Sequence, residues 1–444
     1  MQTHFTAAQL ADRGVAASEP ILRKCVHCGF CTATCPTYVL LGDELDSPRG
    51  RIYLIKEMLE NDRPATAEVA LHVDRCLSCL ACMTTCPSGV HYQHLIDHAR
   101  ARVERTYRRP PVERALRSVL AAVLPYPRRF RAALALVPLA RPFARVLPAR
   151  VRAMLELAPA PARARRARDT LHTGQAADVR HGPDDARWFA AEGVRRARVG
   201  LLTGCVQTVL EPSINAATIR VLTRAGCDVV PISGCCGSLV HHLGREHEAL
   251  ELGVRVIEQV EAELRGGGLD ALVANASGCG THAKDYGYLF RDHELRTQAA
   301  AASAKTRDVT ELLADLGLPA TRDPPRIAVA YHSACSMQHG QKLDEPPRAL
   351  LREAGFDVRE IAEGHLCCGS AGTYNILQPA LAARLRERKL ANVARAGAAV
   401  VATGNVGCIA QLAAGTDLPI VHTVELLDWA TGGPMPPAMR TPRA

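Results

Sequence analysis

The sequence has few aromatic residues and no long apolar run. Phe, Trp and Tyr make up 4% of the 444 residues, which argues against a surface that stacks nucleic-acid bases. Apolar runs such as residues 132–140 are far shorter than the roughly 18 residues that span a bilayer. The first 22 residues contain no apolar stretch typical of a secretory signal. We therefore expect a cytoplasmic protein, or one attached to a membrane from the cytoplasmic side.

The length and the cysteine content limit the class of protein. A chain of 444 residues exceeds one ordinary hydrophobic core, so about two to four domains are expected. Cytosolic proteins rarely use cysteine for structural disulfides, and an odd number fits a fully paired framework poorly. The 17 cysteines therefore indicate metal or redox chemistry.

The cysteines fall into three groups along the chain. Eight lie between residues 25 and 86, five between residues 205 and 279, and four between residues 335 and 408, whereas residues 87–204 contain none. We therefore expect four segments: a first domain at 1–107, an Arg- and Pro-rich helical connector at 108–195, and two cysteine-rich lobes at 196–322 and 323–444.

The connector carries most of the positive charge. Residues 108–168 contain fifteen Arg, no Lys and two Glu, a net charge of +13 against +9 for the whole chain. Nine prolines keep its helices short, and amphipathic helices are predicted at 113–124 and 130–137. The composition is typical of a solvated connector; the alternative is a docking surface for an anionic membrane or an acidic partner subunit. No recognition motif for nucleic acid accompanies the charge, so no nucleic-acid partner is expected.

Two short runs repeat one cysteine pattern. CVHCGFCTATCP begins at residue 25 and CLSCLACMTTCP at residue 76, and both obey C-x2-C-x2-C-x3-C-P. In this pattern three cysteines bind one iron–sulfur cubane, and the fourth, one helical turn further on, faces the other cluster. Two [4Fe–4S] clusters with crossed ligand sets are predicted: Cys25, Cys28, Cys31 and Cys86 for one, and Cys76, Cys79, Cys82 and Cys35 for the other.

Other uses of these cysteines fit the pattern less well. Zinc usually takes two cysteine pairs separated by a longer loop, and a disulfide knot is disfavoured in the cytosol. Between the two runs, Ser47 and Pro48 predict the start of a helix. We interpret Arg49 and Arg51 on that helix as surface charges, with compensation of cluster charge as the alternative. The helix-rich spacing resembles the α-helical ferredoxin domain of succinate dehydrogenase-type iron–sulfur subunits.

The region after residue 195 contains an internal repeat. An apolar strand ends at a cysteine, and a helix, a short strand and Cys-Cys-Gly follow; another helix, a second apolar strand and a final cysteine complete each copy. Alternating strands and helices imply parallel α/β sheets. Adjacent cysteines close a disulfide with difficulty but can both bind a metal cluster, and the following Gly permits a positive φ. The matching cysteines are Cys205, Cys235, Cys236 and Cys279 in the first lobe, and Cys335, Cys367, Cys368 and Cys408 in the second.

Three interpretations are open for these lobes. They are a third iron–sulfur cluster in at least one lobe, redox-active or quinone-proximal thiols, and a scaffold without metal. Cys227 is interpreted as a small buried apolar residue. Five nearby histidines are each interpreted as packed or exposed residues rather than ligands, namely His241, His242, His282, His332 and His365.

The motifs carry a family resemblance. Each lobe resembles the cysteine-rich domain of heterodisulfide reductase, but the final cysteine of its Cys-x-x-Cys is replaced by His282 and by Gln411. The whole chain is similar to a family that includes glycolate oxidase iron–sulfur subunits, anaerobic glycerol-3-phosphate dehydrogenase subunits and lactate-utilisation proteins. It is most similar to the glycolate oxidase subunits, at residues 31–38, 46–52, 85–90, 275–280 and 367–374.

This resemblance implies a fold and a role. The fold is multidomain, with an α-helical ferredoxin domain followed by two pseudo-repeated α/β cysteine-rich lobes. A partner flavoprotein would oxidise glycolate or a related 2-hydroxy acid, and this chain would pass electrons toward a membrane quinone. No G-x-G-x-x-G follows a strand here, so FAD is expected only on the partner subunits, and no catalytic residue is expected in this chain. The expected location is the cytoplasmic side of the inner membrane.

Other functions stay open at this point. Within the carrier class, the chain could serve an anaerobic glycerol-3-phosphate or D-lactate dehydrogenase. A heterodisulfide-reductase-like thiol catalyst would use a Cys-Cys-Gly lobe as its active site. A binding module would use the lobes only to assemble the complex.

Overall fold

The structure is a computed structural model that describes residues 1–159, 179–181, 187–322 and 326–440. The C-terminal part of the Arg-rich run, residues 160–168, lies outside these ranges, so that part of the connector prediction is not addressed. Within the described ranges, no helix has both the length and the apolar character needed to cross a bilayer.

The first 107 residues are largely helical and share one hydrophobic cluster. Ser47 caps the predicted helix between the two cysteine runs by accepting a hydrogen bond from the Gly50 N–H, and Pro48 occupies the first turn, as the sequence predicts. Leu22, Ile55 and Leu95 are fully buried in this cluster. The helices are Ala7–Leu10, Arg13–Lys24, Pro36–Leu41, Pro48–Glu60, Ala67–Asp74, Ala81–Thr85 and Tyr92–Thr106.

The connector continues as short helices that start at or near prolines. The two predicted helices are present with slightly earlier boundaries. Arg109 and Arg117 are buried, and both bond to the Asp74 carboxylate. The solvated interpretation is therefore wrong for these two arginines, because acidic residues pair with them inside the protein. The helices are Pro111–Val123, Pro127–Ala135, Val137–Ala140 and Ala149–Leu157.

A six-stranded sheet contains the four strands of the first lobe and, at one edge, two short strands from the end of the predicted connector; its order is β1-β2-β4-β3-β5-β6. Strands β3 to β6 are parallel, and β1 and β2 form an antiparallel pair at one edge. The strands are β1 (Val179–His181), β2 (Arg187–Phe189), β3 (Ala197–Leu202), β4 (Cys227–Ile232), β5 (Ala271–Ala274) and β6 (Thr306–Asp308). The helices are Gln207–Leu210, Pro212–Arg224, Ser238–His241, Glu246–Gly266, Ser277–Lys284, Tyr286–Leu289, Arg296–Lys305 and Val309–Leu316.

The second lobe repeats the parallel part of this sheet. Its order is β10-β9-β7-β8, all parallel, which matches β6-β5-β3-β4 of the first lobe position by position. The internal repeat read from the sequence is thus confirmed. The strands are β7 (Ala328–Tyr331), β8 (Asp357–Arg359), β9 (Val400–Thr403) and β10 (Ile420–His422). The helices are Glu345–Glu353, Tyr374–Leu377, Pro379–Ala396, Val406–Ala413 and Thr423–Ala430.

The two lobes share one hydrophobic core. Val199 of the first lobe and Val401 of the second belong to the same buried cluster. Cys227 is fully buried in it, which confirms its apolar role. At the edge of this core, Arg220 and Arg224 both bond to buried Asp428 across the lobe boundary. The lobes therefore hold a definite orientation toward each other.

Candidate metal centres

The first cysteine run surrounds a cavity at the protein surface. Cys25, Cys28 and Cys31 line this cavity, and Cys86 from the second run lines it as well. Cys28 is exposed, and the neighbouring Phe30 is 62% exposed. The structure therefore brings together the first predicted ligand set and places it where another protein can reach it.

The second cysteine run surrounds a deeper cavity. Cys76, Cys79 and Cys82 line it together with Cys35 from the first run, and all four are buried. Burial raises the pKa of the Cys79 and Cys82 thiols well above their usual range. A bound metal would be needed to keep them as thiolates. Since Cys82 also borders the first cavity, the two candidate sites are adjacent.

The two cysteine loops share a strained backbone conformation. His27 and Ser78, each just before the second cysteine of its run, have φ values of 54° and 49°. Gly29 and Leu80, each just after that cysteine, have φ values of 87° and 62°. Non-glycine residues rarely adopt this left-handed conformation, and it is found most often at functional sites. Its recurrence at matched positions supports one common ligand geometry for both loops.

A buried ionic network lies beside the second cavity. Arg51 is 1% exposed, and its Nη1 lies 3.8 Å from the Cys35 Sγ. Its other donors reach the Asp46 Oδ1 at 3.3 Å and the His72 carbonyl at 2.6 Å, and Arg75 bonds to Asp46 at 2.7 Å. The interpretation of Arg51 as a surface charge is wrong, because its guanidinium is enclosed and faces a predicted ligand sulfur.

The surroundings of the two candidate sites differ in polarity. Arg49, by the first site, stays partly exposed and pairs with Glu44, in agreement with the surface interpretation. By the second site, the Tyr92 hydroxyl donates to the Cys76 Sγ at 3.7 Å, and the Thr37 hydroxyl is 3.3 Å from the Cys35 Sγ. Hydrogen bonds to cluster sulfurs are one of the means by which proteins tune reduction potentials. The second site is therefore better equipped for such tuning.

The parallel sheets gather the lobe cysteines. In the first lobe Cys205 follows β3, the Cys-Cys-Gly follows β4, and Cys279 follows β5; the second lobe repeats this arrangement. Carboxyl ends of parallel strands meet at one edge of a sheet, which is the usual binding edge of α/β folds. Gly237 and Gly369, with φ values of 92° and 90°, turn the chain so that their N–H groups donate to a cysteine sulfur at 3.4 Å.

Each lobe holds its four sulfurs close together. In the second lobe the Cys335 Sγ is 3.7 Å from the Cys367 Sγ, and the Cys368 Sγ is 3.4 Å from the Cys408 Sγ. The first lobe has the same order of sulfur contacts, Cys205 to Cys235, Cys235 to Cys236, and Cys236 to Cys279. All 17 cysteines are free.

Both sets of lobe cysteines face one shared cavity of about 440 Å³. Apolar side chains of the connector, including Leu134 and Val137, line its other side, and Leu77 from the second cysteine run contributes as well. A space of this size and apolar character suits a small organic molecule. The sequence showed the connector as charged and helical, but nothing in it indicated that its apolar face would cover the cysteines.

The second ferredoxin loop packs directly on the second lobe. Cys79 and Cys367 belong to the same hydrophobic cluster. A hydrogen bond of 2.8 Å joins the Thr84 hydroxyl to the His339 Nδ1. The cysteine sites therefore form a series from the exposed Cys28 through the buried second cavity to the second lobe.

The five lobe histidines differ in their surroundings. The rings of His241 and His282 are buried with their centroids 5.1 Å apart and their planes tilted by 54°, which fits the packed interpretation. His332 is 2% exposed, and its two ring nitrogens have no hydrogen-bond partner among the described residues. Burial lowers the pKa of His332 to about 3, so its imidazole is neutral at pH 7. Neutral imidazole is the form that binds metals.

Comparison with known protein families agrees with this arrangement of sites. A family model described as a 4Fe-4S dicluster domain matches residues 24–90, and one described as a cysteine-rich domain matches residues 199–284 and 329–413. These ranges include every predicted ligand cysteine of the ferredoxin domain and of both lobes.

Curated relatives match most or about half of the chain. The glycolate oxidase iron-sulfur subunit of Escherichia coli (strain K12) is 39% identical over 97% of this chain and 99% of its own length. A probable glycolate oxidase iron-sulfur subunit of Bacillus subtilis (strain 168) is 31% identical over 93% and 94%. Lactate utilization protein A of an Exiguobacterium species is 27% identical over 52% and 96%. The chain belongs to the family of glycolate oxidase iron–sulfur subunits.

Proposed function

We propose that this chain is the electron-transfer subunit of a flavin-dependent glycolate oxidase and connects an FAD-bearing partner subunit to a membrane quinone. The names of the two relatives that span nearly the full chain support the complex and its substrate. The observation that carries the proposal is the series of cysteine sites that runs from the surface to the shared cavity.

The residues of the ferredoxin domain fit two [4Fe–4S] clusters. One would be held by Cys25, Cys28, Cys31 and Cys86, and the other by Cys76, Cys79, Cys82 and Cys35. When bound, each cluster supplies a one-electron redox centre, which suits a carrier between a two-electron flavin and a distant acceptor. The buried guanidinium of Arg51, which pairs with Asp46 and also lies beside the Cys35 sulfur, would offset part of the anionic charge of a thiolate-bound cluster.

The exposed first site suits the contact with the flavoprotein. Val26 and Phe30 are large apolar residues that stay exposed beside Cys28. Exposed apolar side chains next to a reactive site are common at protein interfaces. A partner that covers them would bring its flavin close to the first cysteine run.

The shared cavity and the connector suit a quinone at a membrane surface. Phe130, Leu134 and Val137 line the cavity, whereas Leu139, 72% exposed, lies on the outer side of the same segment. Exposed arginines surround these apolar residues, at positions 128, 129, 131, 145 and 152. Basic and apolar side chains on one surface favour binding to anionic lipid, and an apolar cavity favours a quinone ring.

The proposal is tested by reconstituting the complex. The chain would be purified anaerobically together with its candidate FAD-binding partner subunits, and glycolate, D-lactate and glycerol-3-phosphate would be added separately. Glycolate should bleach the visible iron–sulfur absorbance, and a short-chain quinone should restore it. Bleaching by glycerol-3-phosphate alone would contradict the substrate assignment, and failure of the quinone to restore the colour would contradict the acceptor.

A further inference from the structure

His332 is a buried polar side chain that the fold of the second lobe leaves unexplained. It directly follows β7, and its backbone N–H donates to the Ala402 carbonyl of β9 at 2.8 Å, which anchors the residue at the carboxyl edge of the sheet. Its ring is almost fully enclosed, yet both ring nitrogens have no partner within the described part of the chain. Leaving a buried polar group unpaired costs about 1 to 3 kcal/mol, so such a group in a native protein usually has a ligand.

Two cysteine sulfurs lie close enough to His332 to bind the same metal. One ring nitrogen of His332 and the sulfurs of Cys368 and Cys408 all lie within 4.8 Å of one another. Cys335 and Cys367 bring their sulfurs to the same edge of the sheet. Thiolate sulfur together with imidazole nitrogen is a donor set for zinc and for iron–sulfur centres.

The second lobe also buries a positive charge near these cysteines. Lys389 is 2% exposed, and its Nζ donates to the Glu363 carbonyl at 2.7 Å. Its ammonium lies within electrostatic range of the Glu363 carboxylate and of the sulfurs of Cys367, Cys368 and Cys408. The Glu363 carboxylate gives this buried lysine one nearby anion, and thiolates bound to a metal would add further negative charge.

The first lobe lacks this histidine. The turn between β3 and Cys205 contains Thr203 and Gly204, and the Thr203 hydroxyl donates to the Ile232 carbonyl. His282, which stands where the related pattern has its last cysteine, packs against His241. The two lobes are therefore alike in their cysteines and different in the nitrogen ligand they can offer.

We propose that the second lobe holds a third iron–sulfur cluster and that His332 is one of its iron ligands, beside Cys368 and Cys408. The inference deepens the proposed electron-transfer function and rests on it for the choice of iron over zinc, because the second lobe adjoins Cys79 of the second cluster site. His332 would take the place of the cysteine that this chain lacks at the end of the pattern.

The test uses the full chain purified anaerobically, with iron and zinc measured per chain and pulsed electron paramagnetic resonance of the reduced protein. We expect about twelve irons rather than the eight of two [4Fe–4S] clusters. We also expect a strong nitrogen hyperfine coupling from a bound imidazole, which must change when the protein is labelled with ¹⁵N-histidine. The labelling needs no variant, so its result stands even where a substitution prevents folding.

Two substitutions and one control identify the ligand. His332→Cys should keep the additional iron and lose the nitrogen coupling, because cysteine can replace histidine as ligand. His332→Phe should lose about four irons, the content of one cubane. His365→Phe is the matched control. It alters a half-buried histidine of the same lobe and should change neither the iron content nor the nitrogen coupling.

Several results would overturn the inference. These are an iron content of eight without imidazole coupling, a stoichiometric zinc ion in the lobe, and a nitrogen coupling that survives His332→Cys. An iron content of eight combined with glycolate-dependent bleaching would overturn this inference alone and leave the proposed function standing.

Discussion

Arg51→Met removes the positive charge closest to the second cluster site and keeps an unbranched side chain in the helix. The Arg51 Nη1 is 3.8 Å from the Cys35 Sγ. A unit charge about 6 Å from the cluster centre, at an effective dielectric constant of about 20, changes the energy of an added electron by about 3 kcal/mol. This corresponds to about 120 mV for a one-electron couple. Because the lost charge is positive, the reduction potential of the second cluster should become more negative by that amount.

The substitution also weakens the domain. Asp46 is fully buried and would keep His72 and Arg75 as partners after losing Arg51. Removing one member of a buried ion pair costs about 3 to 5 kcal/mol, and the two remaining partners place this case at the lower end. Arg51→Lys is therefore the second variant, since it keeps the charge while losing the fork geometry of the guanidinium.

The assay is a redox titration of the anaerobic protein followed by electron paramagnetic resonance. In Arg51→Lys, the reduction potential of the second cluster should shift by less than half as much as in Arg51→Met. Arg49→Met is the control, because Arg49 is partly exposed and its charge is screened by solvent, so a shift below about 30 mV is expected. Equal shifts for the Lys and Met variants, or none for Met, would refute the electrostatic reasoning.

Three further outcomes are expected. Cys35→Ser should remove the deeper cluster and Cys86→Ser the exposed one, each with a loss of about four irons, and spectra that show the opposite assignment would contradict the crossed ligand sets. Ala140→Trp should fill the shared cavity and slow quinone reduction about tenfold, equal to about 1.4 kcal/mol, without affecting cluster reduction by the partner, whereas Ala135→Trp outside the cavity should not. Burial raises the pKa of Asp308 to about 6, so the folded state holds this proton more tightly than the unfolded state. The free energy of unfolding should therefore fall by about 3 kcal/mol as the pH rises from about 4 to about 6, and urea titrations of Asp308→Asn should show no such slope.

Local spacing was enough to predict the elements that carry the ferredoxin sites. The wrap of three cysteines around a cubane depends on residues only three positions apart, and the start of the Pro48–Glu60 helix depends on the neighbouring Ser47. The repeat of strands, helices and Cys-Cys-Gly likewise predicted two similar parallel sheets, because alternating elements and their order are local properties of a chain. The ligand sets themselves stay a prediction that iron analysis of the cysteine variants would decide.

Long-range packing decided what the sequence could not show. Arg51 faces a sulfur rather than solvent because Asp46 and the His72 carbonyl bond to it inside the domain, and Asp46 is in turn held by Arg75. The sulfurs of both lobes face one cavity because the lobes share a core and the connector helices cover it. His332 became a candidate ligand only when the sheet placed it beside Cys368, far away in the chain. Residue type and spacing determine which groups can bind a metal, whereas burial and distance, which arise from contacts between remote segments, determine which of them can meet.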